Sequence, residues 1–154
     1  MNKEINITEL SEHPDLFESA VQYFWKCWGS DTNFIFYKNC MEHSMDNKKS
    51  IPKFYIVLNE KEIIASYALI TNDLISRQDL MPWFACLFVN EEHRNNGIAE
   101  QLLSHALQEA RAKGFNQLYL STDLINFYEK KGWSYLAQGY NFLGEEIKIY
   151  SKST

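Results

Sequence analysis

The segment Arg94-Asn95-Asn96-Gly97-Ile98-Ala99 is where residue types and spacing in this chain point most directly to chemistry. It follows an apolar run, Trp83 to Val89, and a polar turn, Asn90-Glu91-Glu92-His93. It then opens a strongly periodic helical stretch. A helix N-terminus presents unpaired backbone N–H groups and a partial positive charge. Anions bind there when the backbone can come close. Gly97 has no Cβ to block the approach, and Ala99 is small for a similar reason. Arg94 adds a positive charge. Asn95 and Asn96 tolerate the unusual dihedrals of a tight turn. The arrangement suits a phosphate. Two other phosphate loops are excluded: no G-x-x-x-x-G-K-S/T occurs, and no G-x-G-x-x-G follows the first strand. Taken by themselves, the glycine and arginine fit a plain strand–turn–helix junction equally well, so the surrounding elements must decide.

Those elements are legible. From Gly97 to Lys113, the residues Ile98, Ala99, Leu102, Leu103, Ala106, Leu107 and Ala110 cover one arc of about 180° at roughly 100° per residue. Arg111 and Lys113 suit the last turn, and Gly114 closes it. The run Trp83–Val89 is continuously apolar, which predicts a central strand buried on both faces. Earlier in the chain, Ile5 and Ile7 alternate with polar residues and suggest a short strand. Pro14 suits a helix's first turn, and the apolar residues from Leu16 to Trp28 recur at helical spacing up to Gly29. Ser30 or Asp31 can cap a second helix reaching Met45. Residues 46–52 read as a loop. Phe54–Leu58 and Glu62–Thr71 read as strands joined by a short hairpin connection, Asn59-Glu60-Lys61. Residues 72–80 form a longer polar excursion. Leu118–Leu120 is a short strand, and Asp123 can cap a short helix through Lys131, closed by Gly132. Two strands end the chain, Trp133–Ala137 and Glu146–Tyr150. The order is β-α-α-β-β-β-α-β-α-β-β. That predicts an α/β chain with an α+β-like mixed sheet and helices on both faces, not a doubly wound parallel sheet.

Composition narrows the class. The chain of 154 residues is read as one domain, 1–154, and its 45% apolar content argues against disorder. A net charge of −5 and only isolated Lys pairs exclude a nucleic-acid patch. Cys27, Cys40 and Cys86 form no C-x-x-C pair, and free thiols in a reducing cytoplasm fit them best. His13 and His43 lack metal-ligand spacing, so no metal is expected. The N-terminus has no apolar leader, and no run reaches the ~18 apolar residues a membrane helix needs. A soluble, cytoplasmic protein without membrane or nucleic-acid partners is the expectation, as monomer or homodimer.

Val89 through Ala99 resembles motif A of the GNAT N-acetyltransferase superfamily, whose signature at this junction is Arg/Gln-x-x-Gly-x-Gly/Ala. Arg94, Gly97 and Ala99 occupy its three defined positions. Phe127-Tyr128-Glu129-Lys130-Lys131-Gly132-Trp133 is similar to the family's later motif, an aromatic-Tyr-Glu-Lys run ending in Gly-aromatic. The resemblance covers roughly 51–151 and is strongest from 82 to 135. It implies a small single-domain N-acetyltransferase moving an acetyl group from acetyl-CoA directly to a primary amine of a small molecule or peptide. Arg94, Asn95, Asn96, Gly97, Ile98 and Ala99 would hold the CoA pyrophosphate. The preceding strand, Cys86 to Val89, would hold pantetheine and thioester beside a β-bulge, with a backbone N–H of Leu87 or Phe88 polarising the carbonyl. Tyr128 takes the position of the general acid that protonates the leaving thiolate. Many members carry a CoA-contacting Asn about seven residues before that Tyr. Here the position is Ser121, whose hydroxyl can substitute.

The acceptor amine must be neutral to attack. A lysine-like amine costs about 4.6 kcal/mol to deprotonate at neutral pH, and a peptide α-amine only about 1.4 kcal/mol. A base is therefore needed for the first and dispensable for the second. Asp79, before Met81-Pro82-Trp83, is the candidate base, ahead of Glu42 and Asp73. An exposed loop carboxylate is its competing reading. His93 and His105 read as surface residues. Trp25, Trp28, Phe34 and Tyr37 lie on the first two helices, where core packing competes with pocket lining. A non-catalytic acyl-CoA-binding or regulatory module on the same fold is the alternative function, and an unrelated α/β binding domain is a third.

Overall fold

A computed structural model describes residues 5–46 and 48–154. Met1–Glu4, read as part of a polar N-terminus, and Asn47, in the polar loop, lie outside the described residues. The elements are β1 (Asn6–Glu9), α1 (Phe17–Trp28), α2 (Phe34–Glu42), β2 (Lys53–Asn59), β3 (Glu62–Ile70), β4 (Trp83–Val89), α3 (Ile98–Ala112), β5 (Gln117–Thr122), β6 (Ser134–Tyr140) and β7 (Glu146–Ser153). Seven strands hydrogen-bond in the order β1-β2-β3-β4-β5-β7-β6. β4 pairs with β5 in parallel at Trp83↔Tyr119, whereas β1–β2, β5–β7 and β6–β7 are antiparallel. The mixed sheet is as expected. Among the described residues no helix is long and apolar enough to cross a membrane.

One expected element is absent as such. Between β5 and β6 the predicted helix from Asp123 shrinks to a single 3-10 turn, Glu129–Lys131. Thr122 Oγ1 accepts from the Leu124 N–H at 2.9 Å, which caps a bend rather than a helix. Asn126 then takes φ +62, which no α-helix accommodates. Gly132, at φ +84, closes the turn as predicted.

The chain divides into two compact units, Met1–Ala68 with Cys86–Leu102 and Leu69–Ala85 with Leu103–Thr154. In the first, Phe24 of α1 packs edge-on against Phe54 of β2 at 5.1 Å, and Tyr55 stacks on Tyr67 of β3 at 4.5 Å. Leu10, Ala20, Val21, Met41, Ile56 and Val57 complete a dry core. Each large aliphatic side chain there contributes about 1.5–3 kcal/mol by leaving water. Lys53 is buried in this unit and is offset by three acceptors: Glu9 at 3.2 Å and the carbonyls of Ser44 at 3.3 Å and Asp46 at 3.0 Å.

Gly29 ends α1, though not in the left-handed conformation a C-terminal glycine usually adopts. Its φ is −84. The glycine is there for space: a Cβ would lie 2.2 Å from Trp25 Cδ1. That indole donates to the Ser30 carbonyl at 2.7 Å and packs on Phe34 of α2 at 5.4 Å. The corner between α1 and α2 is thus built around Trp25, and α2 starts at Phe34 rather than at a Ser30 or Asp31 cap.

In the second unit, Trp83, Ile75 and Ile149 form a buried cluster, with Leu118, Leu120, Trp133 and Tyr150 also buried. The excursion from 72 to 80 is clipped to the end of β6: Ser76 N–H donates to the Tyr140 carbonyl at 2.9 Å, and Tyr140 N–H to Ser76 Oγ at 3.0 Å. Gly114, at φ +87, ends α3, with Phe115 N–H reaching back to the Ala110 carbonyl at 3.0 Å and Gly114 N–H to Arg111 at 3.0 Å. This is the six-to-one, five-to-two closure of a Schellman end.

Candidate active site

The strand before the predicted phosphate loop is not uniform. Trp83, Phe84 and Ala85 are buried, but from Cys86 onward β4 is only half-buried. The change coincides with Cys86, whose φ of +57 is out of place for a non-glycine residue inside a strand. The expectation of a strand buried throughout therefore fails for its second half. Such a conformation costs roughly 1–2 kcal/mol and marks a local break in the pleat of the kind a bulge produces. Ser66 of β3 holds it by donating from Oγ to the Cys86 carbonyl at 3.0 Å.

Asn90 terminates β4. Its N–H donates to the Ile64 carbonyl at 2.8 Å, and its side chain reaches the Ile63 carbonyl at 3.4 Å. Tyr23 of α1 donates its hydroxyl to Asn90 Oδ1 at 2.7 Å. Burial, reinforced by the nearby Cys27 and Glu92, pushes the Tyr23 hydroxyl well above the usual phenol range, so it stays a donor. A 3-10 turn, Glu91–His93, carries the chain to Arg94. Arg94 Nε donates to the Val89 carbonyl at 2.9 Å, and its guanidinium lies 5.5 Å from the Phe88 ring centroid. Arg94 therefore does two things: it contributes charge, and it pins the loop to the end of β4.

The loop itself takes the geometry an anion needs. Asn95 and Gly97 have φ of +63 and +76. Asn96, in contrast, spends its side-chain amide on the carbonyls of His93 and Arg94, both at 3.2 Å. The first α-helical bond runs from Gln101 N–H to the Gly97 carbonyl at 3.1 Å. Among the described residues, the N–H groups of Gly97, Ile98 and Ala99 have no hydrogen-bond partner. Leu87, Phe88, Val89 and Arg94–Ala99 thus form one continuous surface in the first unit: a broken strand end followed by a nest of N–H donors.

The remaining predicted residues lie in the second unit. Tyr128 is 8% exposed, and its ring meets Phe127 at 4.9 Å, Trp133 at 6.2 Å and Tyr150 at 6.5 Å. Its carbonyl accepts from Lys131 N–H at 3.0 Å and Trp133 N–H at 3.1 Å. Beneath it, Tyr150 donates its hydroxyl to the Glu129 carboxylate, a bond that lowers the Glu129 carboxyl and raises the Tyr150 phenol. The Tyr128 hydroxyl makes no hydrogen bond among the described residues, and burial pushes it up to about 12. It is a protonated donor with its ring held on three sides and its oxygen uncommitted. Ser121 sits on β5 opposite Ile149 of β7, half-buried, with no side-chain hydrogen bond among the described residues.

Asp79 is unsuited to the role expected of it. Both its oxygens are held by Arg77, at 2.8 and 2.7 Å, and this pairing pulls its carboxyl below the ordinary value. Asp73, ranked lower on sequence grounds, has no hydrogen bond among the described residues, and burial pushes it up to about 6. No group of three potential metal ligands occurs among the described residues. Tyr23, Ser66 and Asn90 escaped the sequence reading. Tyr23 had a signal: a tyrosine beside the apolar arc of a helix needs a partner for its hydroxyl.

Comparison with known proteins gives this geometry its family. The sequence model of the Acetyltransferase (GNAT) family matches residues 14–133, so the chain belongs to that family. It is 30% identical over 93 residues to human N-acetyltransferase 8, covering 56% of this chain and 40% of that protein. The matched stretch thus spans about two fifths of the length of this curated relative. Among solved structures it resembles an aminoglycoside 6'-N-acetyltransferase complexed with coenzyme A, at a TM-score of 0.71 and 16% identity over 96% of each chain. It also resembles a GNAT family acetyltransferase from Elizabethkingia anophelis with acetyl-CoA bound, at a TM-score of 0.65 and 16% identity over 97% of this chain and 98% of that one. At these identities the likeness extends to the fold.

Proposed function

We propose that the protein is an acetyl-CoA-dependent N-acetyltransferase acting on a primary amine. The observation that carries this is the loop Arg94–Ala99, with Asn95 and Gly97 at positive φ and three successive N–H groups without an acceptor among the described residues, in a chain of the GNAT family. Those donors suit the pyrophosphate of CoA, and Arg94 adds charge. The broken strand end at Cys86–Val89 suits the pantetheine arm and thioester, with the N–H of Leu87 or Phe88 as the donor to the carbonyl oxygen. Ser121 is the proposed replacement for an amide contact to the cofactor.

In the proposed reaction the neutral amine attacks the thioester carbon, the C–S bond breaks, and the CoA sulfur leaves as thiolate. Tyr128 is the proposed acid. Its hydroxyl, pushed up to about 12, stands some 3.5 units above a thiol of pKa ~8.5, so a complete transfer opposes a gap of about 5 kcal/mol. The hydroxyl therefore serves as a hydrogen-bond donor to the developing thiolate, and full transfer is coupled to loss of a proton from the attacking nitrogen. Asp73, up at about 6, matches the proton affinity useful in a base at neutral pH better than Asp79 does.

The test is direct. Titration calorimetry with acetyl-CoA should give saturable binding that Gly97→Val abolishes. Release of the CoA thiol should depend on an added amine. A chain that binds CoA but consumes no acetyl-CoA with any amine would be a binding module instead, and one that binds no CoA would refute the reading entirely.

A further inference from the structure

The proposed reaction leaves the acceptor open, and the surroundings of Phe88 bear on it. Tyr23 meets the Phe88 ring edge-on at 6.1 Å, Trp28 does so at 6.4 Å, and the Arg94 guanidinium lies over it at 5.5 Å. Tyr23 and Arg94 are committed elsewhere, to Asn90 Oδ1 and the Val89 carbonyl. Trp28 is not. Its indole N–H has no hydrogen bond among the described residues, and the residue stays 44% exposed although its ring makes a T-shaped contact with Phe88. An exposed indole with an unused donor thus stands beside the backbone proposed to hold the acyl carbonyl.

Its position is well determined. Trp28 is the last residue of α1, and the chain after it is held by Gly29 under the Trp25 indole, by the bond from Trp25 to Ser30, and by the Trp25–Phe34 ring contact. Charge argues in the same direction. From Tyr23 to Cys40 the charged residues are Lys26, Asp31 and Lys38, two positive and one negative, a net +1. Lys38 already has Glu18 at 3.6 Å. Glu92 and Arg94, which both act on Tyr23, offset each other, so this corner has no excess of carboxylates, which a polyamine or an aminosugar with several ammonium groups needs.

Resting on the proposed function, we infer that Trp28 determines acceptor specificity, and that the acceptor is a small primary amine carrying an aromatic group next to the reacting nitrogen. Ring-on-ring contact with the exposed part of the indole supplies affinity and orientation. The experiment measures thiol release with phenethylamine, tryptamine, spermidine and kanamycin, beside an acetyl-CoA titration, for the parent chain, Trp28→Phe and Trp28→Ala. The expected kcat/KM for the two aryl amines exceeds that for the two polycations by about tenfold or more. Trp28→Phe should keep most of that preference and Trp28→Ala should erase it, with acetyl-CoA affinity retained in both. A preference for spermidine or kanamycin overturns the inference while leaving acetyl transfer standing. So does an aryl preference that survives in Trp28→Ala. Binding of acetyl-CoA without turnover of any of the four amines also overturns the inference. Absence of acetyl-CoA binding by the parent chain overturns both readings.

Discussion

Replacing Tyr23 with Phe deletes one oxygen and tests whether the proposed phosphate loop depends on a bond made outside it. That hydroxyl donates to Asn90 Oδ1 at 2.7 Å, and the Asn90 carbonyl in turn accepts from His93 N–H at 2.9 Å, the bond that opens the turn leading to Arg94. An acceptor left unpaired in a half-buried setting costs about 1–3 kcal/mol. Asn90 keeps its backbone bond to Ile64 and some access to water, so the low end, about 1–1.5 kcal/mol, applies. Spread over the loop, this predicts an acetyl-CoA Kd raised about five- to tenfold. The melting temperature should fall by only about 2–6 °C. Calorimetric titration with CoA and saturation kinetics in acetyl-CoA read the effect. KM should rise while kcat stays within about twofold, because the bond acts on cofactor placement and not on the bonds that form and break. The Tyr23 hydroxyl is held far above the ordinary phenol range, so the difference between the two proteins should not vary with pH up to about pH 10. If Tyr23→Phe loses stability but binds CoA as the parent does, the bond only packs α1, and the chain of reasoning from Asn90 to the loop is wrong.

Tyr128→Phe should lower kcat by about a hundredfold or more with acetyl-CoA KM little changed, and the parent's rate should show no Tyr128-linked fall below about pH 11, since that hydroxyl is pushed up to about 12; an unchanged kcat in the variant removes Tyr128 from the mechanism. Asp73 has its carboxyl raised to about 6, so the folded chain binds that proton more tightly than the unfolded one, and the stability it contributes is complete below about pH 4 and lost as pH rises through about 6. Asp73→Asn should therefore melt several degrees higher than the parent at about pH 7.5 and converge with it near pH 4; a lower melting point at neutral pH contradicts the desolvation argument. Asp79→Asn should leave turnover unchanged, because its carboxylate is held by Arg77. Gly29→Ala should destabilise by about 1–3 kcal/mol in denaturant titrations, because its Cβ meets Trp25 at 2.2 Å; Gly114→Ala, whose Cβ meets nothing within 4 Å, should still lose about 1–2 kcal/mol through its φ of +87 alone.

What the sequence revealed and what it hid follow from the range of the interactions involved. The helix from Ile98 was legible because seven apolar residues repeat on one arc, and its end because Gly114 closes a local hydrogen-bond pattern. The loop before it was legible because Gly97 and the two asparagines are residues that accept positive φ. Asp123 looked like a helix cap, yet Thr122 and Asn126 set the local backbone instead, a competition between neighbours that propensity does not rank. Gly29 was legible as the end of α1, but its role as a clearance for Trp25 was not. Asp79 ranked above Asp73 on its place before β4 alone, and only folding sets Arg77 against the one and removes water from the other.

Cys86 is the sharpest instance, and it bears on why the loop proposed to hold the donor is readable while the strand before it is not. Three non-helical residues of positive φ, Cys86, Asn95 and Gly97, shape the surface from β4 into α3. Two are residue types that announce the conformation. The third is a cysteine inside an apolar run, and nothing in its type favours φ of +57. Its conformation is held from outside, by Ser66 twenty residues earlier on β3. A strained backbone persists only where its surroundings over-determine it, so the signal for the break in β4 lies in the pairing of two strands and not in either one. Ser66→Ala makes this concrete. The side chain is buried, the change in volume is small, and the loss should be about 1 kcal/mol of stability. If Cys86 then relaxes toward extended backbone, acetyl-CoA turnover should fall by more than that stability loss explains, while CoA without its acetyl group still binds through the Arg94–Ala99 loop. Equal losses for acetyl-CoA and CoA would mean that the break at Cys86 serves packing alone.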